Sequence, residues 1–126
     1  MALLTGKAAI RHTVWALALL VAASTLLACG GQSEAERHNN KGIDFLEAGL
    51  PDEAIAELDR TIELNPKFAL PYSNRAYAYN AKGEYDRAIA DASKAIDLNP
   101  KLAVAYNNRA EAYSDKGQRE LAIQDY

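Results

Sequence analysis

Cysteine is nearly missing from this chain, with one in 126 residues, so no disulfide can close within it. Histidine is almost as scarce: beyond residue 28 only His38 remains. Neither a metal cluster nor a Cys–His or Ser–His–Asp arrangement can be assembled from that stock. Gly-rich phosphate loops are lacking too; Gly30-Gly31 reads as a tether, and no pair of acids stands out as a general acid and base. The expectation is a chain that is not an enzyme and takes no cofactor and no metal. Acids are missing from residues 1–28, which hold Lys7 and Arg11, leaving 12 basic against 17 acidic residues in the rest. An acidic body of that kind excludes electrostatic capture of nucleic acid. What is present, 49% hydrophobic and 25% charged residues, is ordinary for one small soluble domain.

Long apolar runs are lacking as well. Thr13–Ala28 is sixteen residues without charge, softened by Ser24 and Thr25, where a membrane-spanning helix needs about 20. A basic start, an apolar middle and a small residue at the end read as a secretory signal. Leu26-Leu27-Ala28-Cys29 resembles the bacterial lipobox, in which the cysteine is lipidated and begins the mature protein; Leu27 departs from that pattern. The resemblance implies residues 1–28 as signal peptide, 29–33 as tether, and lipidation of Cys29. It also implies a bacterial cell-envelope address, at the outer membrane if the cell is Gram-negative, since Gly30 follows the cysteine. An uncleaved anchor, or an ordinary signal with an incidental Cys29, is the alternative. More than one acyl chain is needed for stable anchoring.

From residue 34 onward the chain repeats itself. Asn65-Pro66-Lys67 returns as Asn99-Pro100-Lys101, a shift of 34. At the same shift Gly49, Gly83 and Gly117 align, as do Ala54, Ala88 and Ala122, and Phe45, Tyr79 and Tyr113. Self-similarity at such a period marks a stacked array. Each unit reads as two helices. The first are about Glu34–Ala48, Ala69–Lys82 and Ala103–Lys116, each followed by a glycine suited to a left-handed cap. The second run from about Asp52 to Leu64 and Asp86 to Leu98, ended by Asn-Pro, and from Arg119 to Tyr126.

This pattern resembles the tetratricopeptide repeat. Tyr72, Ala76, Tyr79 and Tyr106, Ala110, Tyr113 match its first-helix signature, Ala54, Ala88 and Ala122 its second-helix small residue, and Pro66 and Pro100 its closing proline. The resemblance implies an all-α fold of helix-turn-helix repeats stacked as a right-handed solenoid. Its repeats would be 35–68, 69–102 and an incomplete 103–126. Departures are His38 in the aromatic column, where it is expected to pack, and Lys41, Arg75 and Arg109 where the family often has leucine.

Two polar columns then stand out. Lys41, Arg75 and Arg109 are each followed sixteen residues later by an acid, Glu57, Asp91 and Asp125. That spacing predicts ion pairs between helices, in preference to cations that face a groove. Asn40, Asn74 and Asn108 recur on the first helices, flanked by Asn39, Ser73 and Asn107. An amide carries two donors and an acceptor, so one per unit suits the backbone of an extended peptide; it suits a bond to the neighbouring helix equally. The family's first helices line its concave surface, and the O-linked N-acetylglucosamine transferase carries an asparagine ladder at the matching place. Ile43, Tyr77 and Glu111, then Leu46, Asn80 and Ser114, are the further groove positions, with Tyr77 the aromatic anchor or else packed sideways on a neighbour. Chaperone-binding members use a basic carboxylate clamp in this groove. Only Asn74 matches it here, while Asn39, Ile43, Val104 and Asn108 occupy its other places, so a clamp is not expected.

The resulting expectation is a membrane-tethered, non-catalytic scaffold for a peptide or protein partner. The alternatives are the front part of a longer protein whose C-terminal region holds an enzymatic or assembly function, and a self-associating repeat module. The short helix after Arg119, without a closing Asn-Pro or a polar cap, predicts a truncated array that frays beyond about Gly117.

Overall fold

A computed structural model describes residues 31–126. The signal, the lipobox and Cys29 lie outside the described residues. Ser33–Tyr126 forms one compact unit. It contains six helices: α1 Glu34–Glu47, α2 Pro51–Leu64, α3 Ala69–Ala81, α4 Tyr85–Leu98, α5 Ala103–Asp115 and α6 Arg119–Asp125. No strand occurs among the described residues, and no described helix is long and apolar enough to cross a membrane.

The helix ends follow from local chemistry. Ser33 caps α1 in a reciprocal box: its hydroxyl accepts from the Glu36 N–H at 3.2 Å, and the Glu36 carboxylate accepts from the Ser33 N–H at 2.7 Å. The Ser33-Glu34-Ala35-Glu36 run signals this box, although the repeat does not. Pro51 opens α2, where its missing N–H costs nothing. Gly49, Gly83 and Gly117 take φ of 72°, 75° and 80°. The N–H of each following residue reaches back to the Phe45, Tyr79 or Tyr113 carbonyl at 2.8–2.9 Å, which satisfies the helix ends. Asn65 and Asn99 turn the chain into the next unit, each accepting from a lysine N–H two residues on.

Packing builds the stack from pairs. Each first helix lies on its own second helix, and each second helix lies on the next first helix. The first helices α1, α3 and α5 also touch in succession, whereas α2, α4 and α6 do not touch one another. The first helices therefore form a continuous inner layer and the second helices an outer one. Small residues permit the close approach: Ala54, Ala76, Ala88, Ala92, Ala95, Ala105, Ala110 and Ala112 are all fully buried. Where α1 crosses α2 the small residue is Gly42, because a Cβ there would stand 2.9 Å from Leu58 Cγ. The second unit has Ala76 and Ala92 at these two places, so a methyl on the first helix is tolerated where the facing residue is short, and both are fully buried.

Tyr72 and Tyr106 place their rings in the seams and donate their hydroxyls to the Pro66 and Pro100 carbonyls at 3.0 Å. His38, the first member of the column among the described residues, differs. Its Nδ1 lies 2.6 Å from Glu57 Oε2, a polar contact rather than simple packing.

Candidate functional site: the inner face of the first helices

Every acid expected sixteen residues after a basic residue is in contact with it. Lys41 Nζ meets Glu57 at 2.5 Å. Arg75 grips Asp91 through Nε and Nη2 at 2.7 and 2.8 Å, and Arg109 grips Asp125 at 2.7 and 2.6 Å. These two-point grips are the strong form of the pair. The Asp91 pairing, despite desolvation, holds the Arg75 guanidinium firmly charged. Hydrogen bonds from Lys41 and His38 hold the Glu57 carboxyl below its ordinary range. The cations thus point outward from the inner face, into the layer of second helices.

Each arginine also does something that the sixteen-residue spacing within a unit does not disclose. Arg75 Nη1 donates to Asp59 on the preceding second helix at 2.6 Å, and Arg109 Nη1 to Ser93 at 3.1 Å. One arginine therefore ties its own second helix to the one before. The signal is present but faint, since Asp59 and Ser93 lie sixteen residues upstream. A second set of ties, Lys82 to Asp52 at 2.6 Å and Lys116 to Asp86, crosses the same seams nearer the solvent.

The asparagine column joins the first helices. Asn74 Nδ2 donates to Asn39 Oδ1 at 3.1 Å, linking α3 to α1. Asn108 Nδ2 donates to the Ser73 carbonyl at 2.9 Å and to its hydroxyl at 3.1 Å, linking α5 to α3. Asn39 and Asn108 are accordingly buried, Asn74 half-buried. Asn40 and Asn107 are exposed, for they stand at the two ends of the column where no described helix adjoins. Asn80 belongs to the α3–α5 seam rather than the open groove. Only 9% of it is exposed, its Nδ2 donates to the Asn108 carbonyl at 2.8 Å, and its Oδ1 is buried with no donor among the described residues. Helix geometry explains the shift: residue 80 lies about 60° round α3 from residue 77 at roughly 100° per residue, enough to turn it from the face to the seam.

What remains on the open inner face is a stripe on each helix at intervals of three and four. On α1 it is Glu36, Asn40, Ile43 and Glu47; on α3, Leu70, Asn74, Tyr77 and Ala81; on α5, Val104, Glu111 and Asp115, with buried Asn108 between them in the seam. Tyr77 is 49% exposed in the centre, and Val104 is 41% exposed. A largely unpartnered aromatic ring midway along a continuous helical layer is suited to binding another chain. Among the described residues no group of acids, histidines or cysteines could hold a metal ion.

Comparison with known proteins agrees with this architecture. A tetratricopeptide repeat family model matches residues 39–103, and a second one matches residues 92–124. No curated protein matches the chain by sequence. Among solved structures, the second tetratricopeptide domain of Spaghetti (RPAP3), bound to the HSP90 peptide SRMEEVD, is 30% identical. It aligns over 74% of this chain and 86% of its own, with a TM-score of 0.71. The second such domain of human RPAP3, in complex with the HSP70 peptide SGPTIEEVD, is 31% identical over 72% and 76%, with a TM-score of 0.68. MamA is 32% identical over 72% of this chain and 50% of its own, with a TM-score of 0.68. The period, the capped helix pairs, the small-residue seams and the family match lead to one conclusion: the chain belongs to the tetratricopeptide repeat family.

Proposed function

We propose that this protein is a non-catalytic scaffold that binds a peptide or protein partner along the inner face of α1, α3 and α5, and that lipidated Cys29 tethers it to the membrane of a bacterial cell envelope. The observation that carries the binding half is the exposed ring of Tyr77 at the centre of an inner layer whose basic column, Lys41, Arg75 and Arg109, is turned away. Two of the solved relatives are bound to peptides, which supports the same use of the fold. On this reading Asn40 and Asn107 keep free amides for a partner. Asn39, Asn74 and Asn108 hold the face in register, and Asn74 keeps part of its amide in reach. The tether rests on the lipobox-like sequence before Cys29.

One experiment addresses each half. A photo-crosslinking residue in place of Tyr77 captures a discrete partner in envelope extracts, while the same residue in place of exposed Glu53 on α2 does not; equal capture from both places refutes the groove. Metabolic labelling with a fatty-acid analogue marks the wild-type chain and not Cys29→Ser. An unlabelled wild-type protein removes the tether.

A further inference from the structure

The chemistry of the partner follows from what surrounds Tyr77, and this step rests on the groove reading above. No lysine or arginine occupies any of the three inner stripes. Lys41, Arg75 and Arg109 are paired on the outer side, and Lys67 and Lys101 sit in the loops that precede α3 and α5. The charged residues on the stripes are Glu36, Glu47, Glu111 and Asp115, all exposed. Glu36 is engaged in its capping box. The other three have no cationic partner within salt-bridge distance among the described residues, and all lie in the C-terminal halves of their helices. There the helix dipoles add negative potential.

Glu111 holds on α5 the place that Tyr77 holds on the adjoining α3, and Asp115 follows one turn later. An aromatic face beside two carboxylates is a seat for a cation, which gains from the ring quadrupole and from charge pairing together. A guanidinium offers a flat face to stack on the ring and five N–H donors in a fixed fork for the two carboxylates, where an ammonium is a point charge with three donors.

We infer that the inner face selects a basic segment, with an arginine of the partner seated on Tyr77 and paired with Glu111 and Asp115. The contrast with the solved relatives is one of sign. The peptides named with them, SRMEEVD and SGPTIEEVD, end in clustered acids, which this face would repel.

Fluorescence polarisation on the full chain tests it with three labelled hexapeptides, alternating arginine–leucine, lysine–leucine and glutamate–leucine. The arginine peptide binds at least tenfold more tightly than the glutamate peptide and more tightly than the lysine peptide. Glu111→Lys weakens it at least fivefold, Tyr77→Ala does likewise, and Glu53→Lys, the same charge change on the outer layer, leaves it within twofold. If Glu53→Lys weakens binding as much as Glu111→Lys does, the preference is one of overall charge and the seat is refuted. If the glutamate peptide binds as well as the arginine peptide and still depends on Tyr77, the basic selectivity is wrong while the groove stands. If no peptide depends on Tyr77, the groove and its selectivity both fall.

Discussion

The two ends of the array are built from the same repeat and finished in opposite ways. Where α3 and α5 press on the unit before them, they present Pro71 and Ala78, and Ala105 and Ala112, all buried. At the same two places α1 has Arg37 and Asp44, both exposed. At the other end, Ile55 and Ile89 are packed into the core, but their counterpart Ile123 is 72% exposed. Leu58 and Ala92 are fully buried, and their counterpart Tyr126 is 76% exposed. A solenoid unit buries its apolar side only against a neighbour. The front of the array is therefore closed by polarity, and the back presents apolar side chains in the same column that elsewhere forms a seam.

The largest effect expected from that difference is in local stability. Opening free energies within one protein run from near zero to the global value. The α6 helix has seven residues, one of them buried, against four buried in α4. Amides of Leu121–Tyr126 are expected to exchange at least a thousandfold faster than those of Ala88–Ile96, a gap of about 4 kcal/mol. Equal protection in the two segments would erase the asymmetry of the ends.

Interior and terminal members of the basic column come next. Arg75, 18% exposed in its side chain, serves Asp91 and Asp59 together; Lys41, 58% exposed, serves Glu57 alone. Removing Arg75 leaves a mostly buried carboxylate without its partner, and Arg75→Ala is expected to cost about 2–4 kcal/mol in urea unfolding. Lys41→Ala is expected to cost less than about 1 kcal/mol. A double-mutant cycle with Asp59→Ala separates the tie to the preceding unit from the grip on Asp91. Similar losses from Arg75→Ala and Lys41→Ala would show that position in the array does not matter.

The asparagine column gives the same contrast at a smaller scale. Asn108→Ala removes two hydrogen bonds and leaves the Ser73 groups without that donor, at an expected cost of about 1–2 kcal/mol. Asn40→Ala touches an exposed side chain and is expected to stay within about 0.5 kcal/mol. A neutral Asn108→Ala would return the ladder to a purely ligand-facing role.

These residues also show what the sequence discloses and where it stops. A period of 34 identifies equivalent positions, and the glycines, prolines and small residues punctuate it. The helix boundaries read from it hold to within one residue at every end; α4 starts at Tyr85 instead of Asp86, and α6 ends at Asp125 instead of Tyr126. The pairing of Arg75 with Asp91 was legible because both members repeat. The bond from Arg75 to Asp59 was not, since Asp59 is replaced by Ser93 one unit later and the column loses its charge. Periodicity is equally silent on which way an amide turns. Asn74 and Asn108 could face a groove or a neighbour on spacing alone, and only the distance between adjacent first helices decides that their donors go to Asn39 and Ser73. Spacing alone puts Asn80 in the groove, one turn after Tyr77, yet that turn carries it into the seam.

The smallest expected effect concerns acid at the front end. Glu57 is faced by Lys41 and His38, and hydrogen bonds from Lys41 first and His38 second depress its carboxyl below the unfolded value near 4.5. A carboxyl that is more acidic folded than unfolded contributes stability above the unfolded value and loses it as pH falls through the folded one. The first unit is therefore expected to loosen as pH drops below about 4.5. Because Lys41 is well exposed, solvent screening keeps the contribution below about 1 kcal/mol. Glu57→Gln removes the titrating group, so stability between pH 6 and pH 3 should fall less steeply in the variant than in the wild type, with tests spaced at about one unit through the carboxylate range. An acid limb unchanged by Glu57→Gln would mean that the front unit draws no pH-dependent stability from this contact, and that the two ends of the array differ in packing alone.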